Sequence, residues 1–87
     1  MSDVEEFWHV SSAIVVAHPH RAAAVAARID LLPGVEVHAI GGSKIVVVIE
    51  GDRPGLLGDR LTEISAMDGV LSANMVFEQA MPQENMS

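Results

Sequence analysis

Apolar positions fall into short blocks along this chain, and the spacing inside each block predicts its structure. From Trp8 to Val16 the block centres on Ile14, Val15 and Val16, a short β-branched run that predicts a strand. His18-Pro19-His20 breaks it, with Pro19 suited to the first turn of a helix, where its missing N–H has no partner to lose. Beyond Arg21 the chain is alanine-rich, and Ala22, Val25, Ala26, Ile29 and Leu32 recur at helical spacing until Pro33-Gly34 stops the pattern. Val35 to Ile40 then alternates, with Glu36 and His38 opposite Val35, Val37 and Ala39. Gly41-Gly42-Ser43 turns this segment into Lys44-Ile45-Val46-Val47-Val48-Ile49-Glu50. The two segments predict an antiparallel hairpin, whose second strand is apolar on both faces and therefore central. Gly51 to Gly55 opens a second helix, striped by Leu57, Leu61, Ile64 and Met67 and ended by Asp68-Gly69. Val70 to Glu78 supplies the last strand.

The order is β-α-β-β-α-β. A weak internal repeat supports it: Ile29 to Val35 and Ile64 to Val70 share the pattern I-x-x-[LM]-x-G-V, a helix's last turn leading through glycine into a strand. Two βαβ halves of this kind predict an α+β ferredoxin-like sandwich, a four-stranded antiparallel sheet with two helices on one face. The expected domain is 7–79, with flexible termini at 1–6 and 80–87.

One sheet face is then left for water or a partner, and alternation assigns it. The last strand divides into an inward set (Leu71, Ala73, Met75, Phe77) and an outward set (Ser72, Asn74, Val76, Glu78). The third strand sends Ile45, Val47 and Ile49 inward, leaving Lys44, Val46, Val48 and Glu50 outward. In the first strand Val10, Ser12, Ile14 and Val16 read as inward, which leaves Ser11, Ala13 and Val15 outward; a one-residue slip reverses this. The expected open face is an apolar strip of Ala13, Val15, Val46, Val48 and Val76 rimmed by Glu36, Glu50 and Glu78. That suits an amphipathic, positively charged helix lying on the sheet. The plainer reading is an ordinary solvated sheet surface.

Composition narrows the function classes. The 87 residues carry 49% hydrophobic side chains, so a core can form, although a domain this size buries only about 60–65% of its unfolded surface. The net charge of −7 argues against nucleic acid and for a basic partner, or simply for solubility. There is no cysteine, which excludes disulfides, thiolate zinc sites and cysteine nucleophiles. The first six residues have no signal-peptide profile, and no apolar run approaches a membrane span, so the cytoplasm is the expected compartment.

Candidate chemistry adds little. His9, His18, His20 and His38 lack ligand spacing, and Ser11-Ser12 sits in no nucleophile motif. No phosphate-binding glycine motif occurs, and the third strand lacks the aromatics of an RNA-binding sheet. Neither catalysis nor a cofactor or metal is expected. Asp52-Arg53-Pro54-Gly55-Leu56-Leu57 resembles the turn of ACT domains, which bind amino acids, but it follows the third strand rather than the first. As a plain helix start it needs no ligand, and ACT-like binding stands as the alternative function.

From Trp8 to Gln79 the whole arrangement resembles the NapD family. The resemblance rests on the Trp-led strand ending Ile14-Val15-Val16, on Leu32-Pro33-Gly34-Val35-Glu36-Val37, and on Lys44 to Glu50. It closes with Asp68-Gly69-Val70-Leu71-Ser72-Ala73 and Val76-Phe77. It implies a non-catalytic cytoplasmic chaperone that binds the twin-arginine (Tat) signal peptide of NapA, the catalytic subunit of periplasmic nitrate reductase. It also implies that export is delayed until the molybdenum cofactor and iron–sulfur cluster are in place, and that the sheet side does the binding. The binding set expected on that side is Ser11, Ala13, Val15, Glu36, His38, Val46, Val48, Glu50, Ser72, Asn74, Val76 and Glu78. The oligomeric state is not legible.

Overall fold

In the computed structural model, which describes residues 7–82, the chain runs through β1 (Phe7–Ala17), a 3-10 turn (Pro19–Arg21) and α1 (Ala22–Ile29). It continues through β2 (Val35–Gly41), β3 (Lys44–Gly51), α2 (Pro54–Ser65) and β4 (Val70–Pro82). The strands form one sheet in the order β2-β3-β1-β4, with every neighbouring pair antiparallel. This is the ferredoxin-like βαββαβ sandwich. The apolar stripes of both helices cover one sheet face: Val25, Ala26 and Ile29 from α1, and Leu57 and Ile64 from α2, join Val15, Ile45, Val47 and Ile49 in a single buried core.

The sequence repeat has a structural counterpart. Leu32 N–H donates to Ile29 O at 3.0 Å and Val35 N–H to Leu32 O at 3.2 Å; in the second copy Met67 donates to Ile64 and Val70 to Met67, both at 3.1 Å. Gly34 (φ 77°) and Gly69 (φ 97°) carry the left-handed conformation that closes each turn. Gly34 is also needed for space, since a Cβ there would lie 2.6 Å from the Glu50 carbonyl oxygen. The same contact brings Glu50 N–H to Gly34 O at 2.9 Å, tying the end of β3 to the α1–β2 turn.

Arg21 Nη2 and Asp68 Oδ2 lie 2.7 Å apart, an exposed ion pair joining the 3-10 turn to the α2–β4 turn. The Arg21 hydrogen bond, reinforced by its charge, holds the Asp68 carboxyl below its ordinary value. A depressed carboxyl stabilises the fold above the unfolded value of about 3.9 and loses that contribution as the pH falls through the folded value. Asp68→Asn should therefore flatten the acid limb of the melting temperature against pH and leave its slope near neutrality unchanged. The effect is small because the pair is solvated.

The sheet departs from simple alternation at three places, all on its edge strands. His38 is the extra residue between Val37↔Val47 and Ala39↔Val46. Val76 is extra between Met75↔Ala13 and Phe77↔Ser12, and Leu71 between Val70↔Ala17 and Ser72↔Val16. A bulge reverses the parity of everything beyond it, and bulges on edges discourage further strand pairing. β4 also runs beyond the expected end: Ala80, Met81 and Pro82 pair with His9, Trp8 and Phe7. Residues 1–6 and 83–87, expected to be flexible, lie outside the described residues.

Candidate functional site

The candidate site is the face of the sheet turned away from the helices. Cross-strand registers fix its membership, because residues directly opposite one another share a face. In β1 the open side carries Trp8, Val10, Ser12, Ile14 and Val16. Opposite them in β3 stand Glu50 against Val10, Val48 against Ser12, Val46 against Ile14 and Lys44 against Val16. The edge strands add Glu36 beside Val48 and Ala39 beside Val46 on β2, with Met81, Gln79, Phe77, Asn74 and Ser72 following β1 on β4. Val10, Ile14, Val16, Val46 and Val48 are half-buried within this face, and Phe77 is 53% exposed. An apolar strip thus runs across the two central strands, with its largest exposed ring on β4.

The first-strand assignment made from alternation is reversed. Ser11, Ala13 and Val15 are fully buried on the helix-covered side, opposite Ile49, Val47 and Ile45, so none of them can meet a ligand on the open face. The cause is the one-residue slip: Val10, Ile14 and Val16 are as apolar as the set that points inward, and period two alone cannot choose between the sets. Glu78 is a second correction. Beyond the Val76 bulge it stands opposite Ser11 on the helix side, while Phe77, expected in the core, faces outward. Leu71 likewise leaves the expected core set and is 57% exposed. Glu36, Val46, Val48, Glu50, Ser72 and Asn74 do share the open face, and His38 and Val76 are exposed at bulges.

Ser11 merits a test of its own. Its Oγ is buried with no hydrogen-bond partner among the described residues. A buried unsatisfied hydroxyl costs about 1–3 kcal/mol, so Ser11→Ala should raise stability by about 1 kcal/mol in chemical denaturation. A loss of stability would mean that the hydroxyl has a partner.

Charge on the open face is polarised. Glu36 and Glu50 lie toward the end where β1 begins, and Lys44 toward the end where it finishes. At the acidic end the Trp8 indole Nε1–H donates to Glu50 Oε1 at 2.7 Å, a part-buried bond that reaches diagonally from β1 to β3. Trp8 was not among the expected site residues; its position two residues before Val10, in a strand led by the chain's single tryptophan, was the available signal. Elsewhere the chemistry is sparse. No group of three or more His, Asp or Glu side chains among the described residues is placed to hold a metal ion. No helix among them is long and apolar enough to cross a membrane. The Asp52–Leu57 segment is a helix start: Pro54 opens α2, and Arg53 is its N-cap residue without a side-chain capping bond.

The profile of the NapD protein family matches residues 8–81, spanning both helices and all of the sheet but its first and last residues. The chain belongs to the NapD family. A curated relative, chaperone NapD of Paracoccus pantotrophus, is 53% identical over 78 residues, which are 90% of this chain and 70% of that protein. The solution structure of the E. coli Tat proofreading chaperone protein NapD has a TM-score of 0.77 at 26% identity, covering 92% of this chain and 83% of the other. A transcriptional regulatory protein of the AsnC family from Pyrococcus furiosus has a TM-score of 0.63 at 16% identity, covering 91% of this chain and 53% of its own. That last likeness is one of fold alone. As a NapD chaperone the chain is a binding protein and not an enzyme, and the ACT-like alternative has nothing beyond its helix-start turn to support it.

Proposed function

We propose that this NapD chain binds the twin-arginine signal peptide of NapA, the catalytic subunit of periplasmic nitrate reductase, across the open face of its sheet. The observation that carries the reading is the combination on one face of an apolar strip with Glu36 and Glu50 at one end. A Tat signal pairs two arginines with a following apolar stretch, so one ligand matches both features. The strip buries the apolar segment at roughly 25 cal/mol per Å² before ordering costs are subtracted. The carboxylates attract the arginines over a screening length of about 8 Å at physiological salt. Covering those groups withholds the signal from the translocase while the enzyme acquires its molybdenum cofactor and iron–sulfur cluster. The chaperone acts in the cytoplasm, where the unexported precursor is found.

Calorimetry with a synthetic NapA signal peptide tests this directly. Micromolar or tighter binding that weakens with added salt is expected; no heat at high peptide concentration overturns it. Neutralising Glu36 should slow association and reduce the salt dependence more than it speeds dissociation.

A further inference from the structure

We infer that Trp8 and Glu50 form an arginine-docking subsite that fixes the direction in which the peptide crosses the sheet. The inference rests on the peptide-binding reading above and deepens it. Trp8 lies on the open face, just beyond the end of β3, with only β4 pairing beside it. Its N–H is spent on Glu50 Oε1, which pins both side chains and leaves Glu50 Oε2 without a partner among the described residues. The Glu50 backbone is held as well, through its N–H to Gly34 O. A guanidinium that stacks on the indole face can at the same time donate to that free oxygen, a combination that suits the planar fork of arginine better than the compact ammonium of lysine. Because the carboxylate is already oriented, little ordering is lost when the cation arrives.

Direction follows from the charge polarity. The acidic, aromatic end accepts the arginines; Val48 with Ser12 and then Val46 with Ile14 follow along the face, with Lys44 beyond them at the far end. A peptide whose arginines precede its apolar stretch must therefore run from the Trp8 end toward the Lys44 end. The reverse direction would bring the arginines to Lys44.

Trp8 is the chain's single tryptophan, so its emission reports this subsite alone. Calorimetry and Trp8 fluorescence should be run together with synthetic peptides carrying Arg-Arg, Lys-Lys or Gln-Gln ahead of the same apolar stretch. The Arg-Arg peptide should change Trp8 emission and bind on the order of tenfold tighter than the Lys-Lys peptide. Glu50→Gln keeps an acceptor for the indole but removes the charge, and should cost the Arg-Arg peptide on the order of tenfold while costing the Gln-Gln peptide nothing. Trp8→Leu should behave the same way, and thermal melts establish that each variant is folded. A nitroxide at the amino end of the peptide should quench Trp8, and one beyond the apolar stretch should not. Tight Arg-Arg binding unaffected by both variants, or quenching only by the distal nitroxide, overturns the subsite while sparing the binding function. Absence of heat with every peptide overturns both.

Discussion

Val46→Asp should leave the protein folded and remove signal-peptide binding. Val46 sits at the centre of the open face, with Ile14 opposite it on β1 and Ala39 on β2, and it is only half-buried in the free protein. An aspartate there points into water, so the substitution costs the fold little more than strand preference, about 1 kcal/mol. Bound peptide changes the balance, because its apolar stretch would cover the carboxylate. Asp is too short to carry its charge out from under the ligand, and Lys44 lies on the next row of the face. Desolvating an unpaired charge costs about 3 kcal/mol or more, which lowers affinity a hundredfold or more. Circular dichroism should show a near-native melt, while calorimetry with the synthetic NapA peptide shows no binding. Wild-type affinity in a folded variant would move the binding surface away from the sheet.

The architecture was legible because its signals are local and redundant. The stripes Ala22-Val25-Ala26-Ile29 and Leu57-Leu61-Ile64-Met67 face the core as expected, and the glycine turns at Gly34 and Gly69 repeat in structure as they do in sequence. Such features depend on near neighbours along the chain. Which face a strand shows depends instead on the strands beside it. For β3 the pattern sufficed, since Ile45, Val47 and Ile49 outweigh Val46 and Val48 once Lys44 and Glu50 mark the wet side. For β1 it misled: two small residues, Ser11 and Ala13, occupy the crowded space under the helices, and the bulkier Val10, Ile14 and Val16 are left outside. In a close-packed core the size of each side chain is set by the neighbours it must fit between, and at positions 11 and 13 small residues stand opposite the large Ile49 and Val47. For β4 the period itself changes at Val76, where one extra residue exchanges Phe77 and Glu78. No count of alternating residues detects that extra residue. The consequence for the site is direct: an acid is lost from the expected rim and an aromatic ring is gained by the apolar strip.

Val15→Asp should unfold the protein at neutral pH, whereas Val16→Asp, one residue along, should not. Val15 is fully buried between Ile45 and Ala73 on the helix-covered face. Substitution forfeits about 2 kcal/mol of apolar burial. It also places in the core a carboxylate with no cation to meet it, an uncompensated charge that costs several kcal/mol more. The sum rivals the roughly 5–15 kcal/mol that holds natural domains together, and a chain of this size lies toward the low end. The sign of the pH dependence supplies an internal check. Burial would raise the folded pKa of the introduced carboxyl above its unfolded value of about 3.9, so the penalty is absent below that value and grows as the pH rises through it. The Val15→Asp variant should therefore be more folded near pH 4 than at pH 7. At position 16 the side chain lies on the open face with Lys44 directly opposite, and a carboxylate there keeps both water and a cation as neighbours. Thermal melts of the two variants at both pH values separate the alternatives: a native-like Val15→Asp beside an unfolded Val16→Asp would mean that β1 presents the opposite face, and with it the proposed binding surface would lose Trp8, Ile14 and Val16 together.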